Sequence, residues 1–66
     1  MDTDWDLVFG EFEWLIENGM HATEACRHLG YRDAAVLGRA YHRQGRPLPR
    51  QLADECAWLK QMRAAS

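Results

Sequence analysis

Apolar side chains recur at intervals of three and four residues through the first part of the chain, which is the spacing of one face of an α-helix. This stripe consists of Trp5, Val8, Phe9, Phe12, Leu15 and Ile16. Either Asp4, or Thr3 paired with Asp6 in a capping box, is expected to cap the helix. Asn18-Gly19 supplies a left-handed stop. The pattern predicts a first helix over about residues 4–18.

Three further helices follow on the same spacing, and their expected ranges are 23–30, 33–44 and 50–64. The second is expected to be capped by the hydroxyl of Thr23, and the third by Asp33 or Arg32. A connector with two prolines separates the last two helices. No segment shows the two-residue alternation of a strand, so the predicted fold class is all-α, a small bundle of about four helices.

The inward positions of these helices define a predicted core. Its members are Phe9, Phe12, Leu15, Ile16, Cys26, Leu29, Leu37, Tyr41, Leu52 and Leu59. Trp5 is assigned to the core and Trp14 to its edge. Trp58 lies off the main stripe of its helix, and its role is left open between the core edge and a surface for self-association.

Composition argues against several classes of protein. A chain of 66 residues rarely surrounds a substrate with a deep cleft, and no serine or threonine stands with a histidine and a carboxylate in a recognisable catalytic order. We therefore expect no enzymatic activity and no cofactor. The two cysteines lack the close ligand spacing of structural zinc sites, so we expect no metal. Short apolar runs, an acidic amino terminus and only two cysteines favour a cytoplasmic protein with reduced thiols and no membrane span.

Charge is distributed unevenly along the sequence, although the net charge is only −2. Residues 1–30 hold seven acidic residues and one arginine, whereas residues 31–50 hold five arginines and one aspartate. A cationic segment in an acidic protein indicates an anionic partner that meets one face, and the alternative is a solvated helix surface.

Residues 22–44 contain the pattern of a helix-turn-helix. This motif requires a small residue where its helices cross, an apolar residue and glycine at the turn, and apolar positions in the second helix. Ala25 or Cys26 is the small residue, and Leu29 and Gly30 form the turn. Tyr31 follows the turn, and the apolar pair inside the second helix is Leu37 with Ala40 or Tyr41. The turn is one residue longer than in the tightest versions. The chain is therefore predicted to be a single helix-turn-helix domain over residues 1–66.

The same segment resembles the small helix-turn-helix DNA-binding proteins of actinobacteria and their phages. The residues that carry the resemblance are Gly19-Met20-His21, Ala25, Leu29-Gly30-Tyr31, Ala35, Leu37, Arg39 and Gly45-Arg46. It covers about residues 14–46 and implies double-stranded DNA as the partner in a bacterial cell. The chain departs from the family in its acidity and in the glycine and two alanines of the expected reading helix.

The third helix, with Val36, Leu37, Ala40 and Tyr41 inward, is predicted to read DNA through its other face. The candidate contacts are Thr23, Arg32, Ala34, Ala35, Gly38, Arg39, His42, Arg43 and Arg46. Arginines 32 and 39 are expected at guanine edges, the two alanines at thymine methyl groups, and arginines 43 and 46 at phosphates. Gly38 is expected to admit the close approach of either a packed helix or a DNA edge. Thr23 is expected either to contact a phosphate or to serve only as a helix cap. His42 is expected either to contact a phosphate or to be a solvated surface residue.

Two hypotheses of function follow from these features. The first is a sequence-specific DNA-binding protein, either a small transcriptional regulator or a phage repressor or accessory factor, which binds as a homodimer through the fourth helix. The second is a phage-type interaction module that binds a host protein through its acidic helical face. Steep salt dependence is expected of the first and not of the second.

Overall fold

The computed structural model describes residues 3–65, with side chains as far as residue 63, as four α-helices and no strand. The helices are α1 (Trp5–Glu17), α2 (Ala22–His28), α3 (Ala34–Arg43) and α4 (Arg50–Ala65). The all-α bundle of four helices is thereby confirmed, with each boundary within about two residues of its prediction. No helix in the described part of the chain is long and apolar enough to cross a membrane.

The first helix ends in a glycine-dependent turn. Gly19 adopts a φ of 96°, a left-handed conformation that costs glycine little. The amide of Met20 then donates to the carbonyl of Leu15 at 3.1 Å, which is the closing hydrogen bond of a Schellman motif. Equivalent bonds close α2 and α3 at the next two glycines with positive φ, from the amide of Tyr31 to the carbonyl of Cys26 and from the amide of Arg46 to the carbonyl of Tyr41.

Side-chain caps fix where the helices begin. Asp4 accepts a hydrogen bond from the amide of Leu7 at 3.3 Å, which makes it the cap of α1. Asp33 caps α3 and accepts from the amides of Ala35 and Val36 at 3.0 and 3.3 Å. Both belong to the residues expected to cap these helices.

The predicted cap of α2 is wrong. Nδ1 of His21 accepts from the amide of Thr23 at 3.2 Å, so His21 is the cap and the helix begins at Ala22. Thr23 therefore lies inside the first turn.

Tyr41 lies at the centre of the core, with its ring centroid 4.0 Å from that of Phe9. The buried apolar residues are Phe9, Phe12, Leu15, Ala22, Ala25, Cys26, Ala34, Leu37, Ala40, Tyr41 and Leu52. Three predicted core residues pack at the edge of this cluster instead, namely Ile16, Leu29 and Leu59. Val36, predicted inward, is only half-buried.

The tryptophans occupy different environments. Trp5 packs against the core and stacks on Phe9 and Tyr31, with ring centroids 5.7 and 6.2 Å away. Trp14 is 63% exposed, so its assignment to the core edge is wrong, and Trp58 is 54% exposed. Large apolar side chains thus remain in solvent on α1 and on α4.

Candidate nucleic-acid interface

One face of α3 is buried and the opposite face is open to solvent. The buried face consists of Ala34, Leu37, Gly38, Ala40 and Tyr41. Arg39, His42 and Arg43 are exposed on the other face, beside the half-buried Ala35 and Val36. Positions three and four apart share a helix face, so these five side chains form one continuous strip. The strip contains two arginines and no acidic residue.

The arginines of this strip are not neutralised by any side chain in the described part of the chain. No described residue forms an ion pair with Arg39 or Arg43. Arg32, just before the helix, has a side chain that is 85% exposed and lies 4.0 Å from Asp33 Oδ2. At that exposure the ion pair contributes little free energy, so its guanidinium remains free to bind an anion.

Ala34 and Gly38 do not belong to this strip, which corrects their assignment to DNA contacts. Ala34 is fully buried, and its carbonyl lies 3.6 Å from Cys56 Sγ of α4, a weak hydrogen bond donated by the thiol. A Cβ placed on Gly38 would stand 2.6 Å from the same sulfur. The packed helix was one of the two expected reasons for Gly38, and α4 is that helix.

Thr23 is held inside the protein rather than presented to a ligand. Its hydroxyl donates to Glu55 Oε1 of α4 at 2.8 Å. His21 lies 3.5 Å from the other oxygen of the same carboxylate. A phosphate at Thr23 would meet this carboxylate, so Thr23 is removed from the candidate DNA contacts.

Arg46 is bound to the acidic first helix. Its guanidinium donates to Asp6 Oδ1 at 2.9 Å, lies 3.9 Å from Glu13 Oε2, and sits over the ring of Phe9 at 5.2 Å from the centroid. Glu13 also accepts the phenol hydrogen of Tyr41 at 2.8 Å. Burial of the phenol and this hydrogen bond raise the pKa of Tyr41 far above its usual range. Arg46 thus completes an internal network and is not available to a phosphate in this arrangement.

A groove between α3 and α4 was not foreseen from the sequence. It encloses about 540 Å³, and its apolar lining is Ala35, Gly38, Leu48, Cys56 and Leu59. Its polar lining is Arg39, His42, Arg43, Lys60 and Arg63, so cations stand on both walls. The three- and four-residue spacing of these cations is visible in the sequence, but the docking of α3 on α4 is not.

The cysteines are protonated packing groups. Burial raises the pKa of the Cys26 thiol to about 11, and burial also raises the pKa of Cys56. The reactive thiolate is therefore scarce near neutral pH. In the described part of the chain, no three His, Cys, Asp or Glu side chains are grouped so that they could hold a metal ion.

Comparisons with protein-family models, curated proteins and solved structures found no match for this chain. What the protein binds is therefore inferred from the chemistry of its surface, which is cationic along α3 and anionic along α1.

Proposed function

We propose that the chain is a sequence-specific DNA-binding protein in which α2 and α3 act as a helix-turn-helix and α3 enters the major groove. The observation that carries the proposal is the exposed strip of α3, where Arg39 and Arg43 have no ion-pair partner among the described residues. A cationic helix face with small residues toward its start suits close approach to an anionic duplex.

The positions along α3 suggest separate roles for its side chains. Arg39 lies in the middle of the strip, where a guanidinium can donate two hydrogen bonds to O6 and N7 of guanine. Ala35, one turn earlier, is small enough to contact a thymine methyl group. His42 and Arg43, one turn later, suit phosphate contacts that position the helix without reading sequence. Arg32 precedes the helix and is a further exposed cation.

The protein would act by occupying an operator, as a small transcriptional regulator or a phage accessory factor, and it would perform no reaction. A homodimer would supply two reading helices and hence a two-fold operator. On α4, the predicted surface for the homodimer, Leu52 is fully buried, and the large apolar side chains exposed among the described residues are Trp58 and Met62.

The test is selection of bound sequences from random duplex DNA, followed by affinity measurements on single variants. Arg39→Ala should weaken binding to the selected site by about 1–3 kcal/mol and relax preference at one base pair. Arg43→Ala should weaken all sequences alike and reduce the slope of log affinity against log salt by about one. Arg27→Ala, an exposed arginine of α2, removes the same charge as a matched control.

The proposal fails if Arg39→Ala and Arg43→Ala bind every duplex as the wild type does. It also fails if the random pool yields no enriched sequence while the protein remains folded.

A second candidate function is protein recognition through α1. Leu7 and Trp14 are 60% and 63% exposed, and exposed Glu11 lies between them on the same face. Glu13 is not part of this surface, because Tyr41 and Arg46 already hold its carboxylate. If this candidate is correct, Trp14→Ala weakens a partner complex and leaves DNA affinity unchanged.

A further inference from the structure

The outer face of α1 combines an apolar centre with carboxylates at its edges. We define this α1 outer face as Leu7, Gly10, Glu11, Trp14 and Glu17, all of which are exposed. On a helical projection, Trp14 and Leu7 lie in the middle, with Glu11 on one side and Glu17 on the other. Apolar side chains grouped on one face and rimmed by charged residues are the pattern of an interaction surface.

Gly10 points to a partner that approaches the backbone of α1. Glycine in the interior of a helix destabilises it relative to alanine. A Cβ at Gly10 would meet nothing within 4 Å, and its φ is not in the left-handed region. Neither packing within the described chain nor backbone conformation therefore requires glycine here, whereas a helix lying across this face would.

The groove between α3 and α4 has the complementary arrangement. Its floor is apolar, and cations rise on both walls, with Arg39 and Arg43 on α3 and Lys60 on α4. The α3 side of the groove, from Ala35 to Arg43, extends about 12 Å, and the α1 outer face, from Leu7 to Glu17, extends about 15 Å, at 1.5 Å per residue. The two surfaces are therefore complementary in charge and comparable in length.

We propose that the α1 outer face of one copy of this chain docks into the α3–α4 groove of a second copy. Trp14 and Leu7 lie over Gly38 and Leu59, and Glu11 and Glu17 meet the cations of the walls. This is recognition of an amphipathic helix by a groove, with charge setting the orientation.

The contact is heterologous, because the face and the groove are different surfaces of one molecule. Each copy offers one of each, so association continues head to tail unless a ring closes. The docked helix covers Arg39. If the proposed function is correct, this head-to-tail contact and DNA binding therefore exclude each other, and this consequence alone rests on it.

Sedimentation velocity without DNA tests the contact, from micromolar to millimolar protein at low salt. The wild type should form larger species as concentration rises, and added salt should reverse this. Glu11→Lys reverses a charge of the α1 outer face, and Lys60→Glu reverses a charge of the groove. Each variant alone should associate at least about tenfold more weakly, because like charges then oppose each other across the contact. Mixed together, they should associate again, because the intact groove of the first accepts the intact face of the second and the two reversed charges attract each other in the alternate contact.

Glu24→Lys and Arg27→Glu reverse exposed charges on α2 and should associate as the wild type does. Trp14→Ala keeps every charge and should also weaken association, and circular dichroism establishes that each variant is folded. A wild type that stays monomeric at every concentration overturns the proposal and leaves the α1 outer face to a different protein. Association that survives both charge reversals, or a mixture that associates no more strongly than either variant alone, overturns it as well. If the wild type associates as expected but binds no DNA, that result counts only against the proposed function.

Discussion

Replacing Gly38 by alanine separates two explanations for a glycine in the middle of α3. If Gly38 only left room for DNA, alanine would stabilise the free protein by about 1 kcal/mol through its better helix propensity. In the structure, however, the added Cβ would stand 2.6 Å from Cys56 Sγ, so the thiol must turn away from its hydrogen bond to the Ala34 carbonyl or α4 must move. The packing of α3 on α4 therefore predicts a penalty instead.

The magnitude follows from two opposing contributions. Overpacking by one methyl group in a tight interface costs about 1–3 kcal/mol. The gain in helix propensity offsets about 1 kcal/mol of that, so Gly38→Ala should lower the free energy of unfolding by about 1 kcal/mol. For a domain of this size, that loss shifts Tm downward by about 4–8 °C.

A double-mutant cycle with Cys56→Ala isolates the contact. Cys56→Ala removes the sulfur that the new Cβ would meet, so Gly38→Ala should be neutral or stabilising in that background. The coupling between the two positions should be about 1–3 kcal/mol, read from urea denaturation of the four proteins.

Stabilisation of about 1 kcal/mol by Gly38→Ala in both backgrounds would refute this reasoning. It would mean that Cys56 does not lie against Gly38 and that α4 docks elsewhere. Intact DNA affinity in the destabilised variant would agree with a glycine that serves packing.

Other perturbations test the core and its network. Burial raises the pKa of the Cys26 thiol from its usual 9.0 to about 11 in the folded protein. The protonated thiol therefore contributes to stability below pH 9, and this contribution is lost between pH 9 and 11. Between pH 9 and 11, the free energy of unfolding of the wild type should fall by about 2–3 kcal/mol more than that of Cys26→Ala. Denaturant titration at each pH measures this difference. Arg46→Ala should destabilise the protein by about 1 kcal/mol through lost contacts with Phe9 and α1, whereas Arg50→Ala, the exposed control, should not change Tm. Tyr41→Phe should cost about 1–2 kcal/mol in denaturant titration, because Glu13 loses its phenol donor, and an unchanged stability would contradict the hydrogen bond.

The helices and their ends were readable from the sequence because their signals are local. Gly19 and Gly30 mark helix ends through their own backbone freedom, and Asp33 caps α3 by reaching amides two and three residues away. Such interactions depend on near neighbours alone, so they can be inferred before any tertiary contact is known. The cap of α2 was predicted wrongly because threonine is among the residues preferred at helix N-caps, whereas histidine is not.

The sequence correctly predicted an open surface position for three arginines, namely Arg32, Arg39 and Arg43. The same prediction was wrong for four other residues, namely Thr23, Ala34, Gly38 and Arg46. Small residues such as Ala34 and Gly38 fit an exposed reading surface and a close helix crossing equally well. Only the position of α4, which brings Cys56 onto them, decides between the two.

The partners of Thr23 and Arg46 lie 32 and 40 residues away along the chain, and the groove exists only where α3 meets α4. A hydrophobic period fixes which residues share a helix face, because that depends on the 3.6-residue repeat alone. It does not fix which helix covers that face or at what angle, because docking depends on side-chain packing summed over the whole bundle. The sequence therefore determined the four helices and the cationic character of α3, and the tertiary structure decided that Arg46, just after α3, is bound to α1 while Arg39 and Arg43 remain exposed.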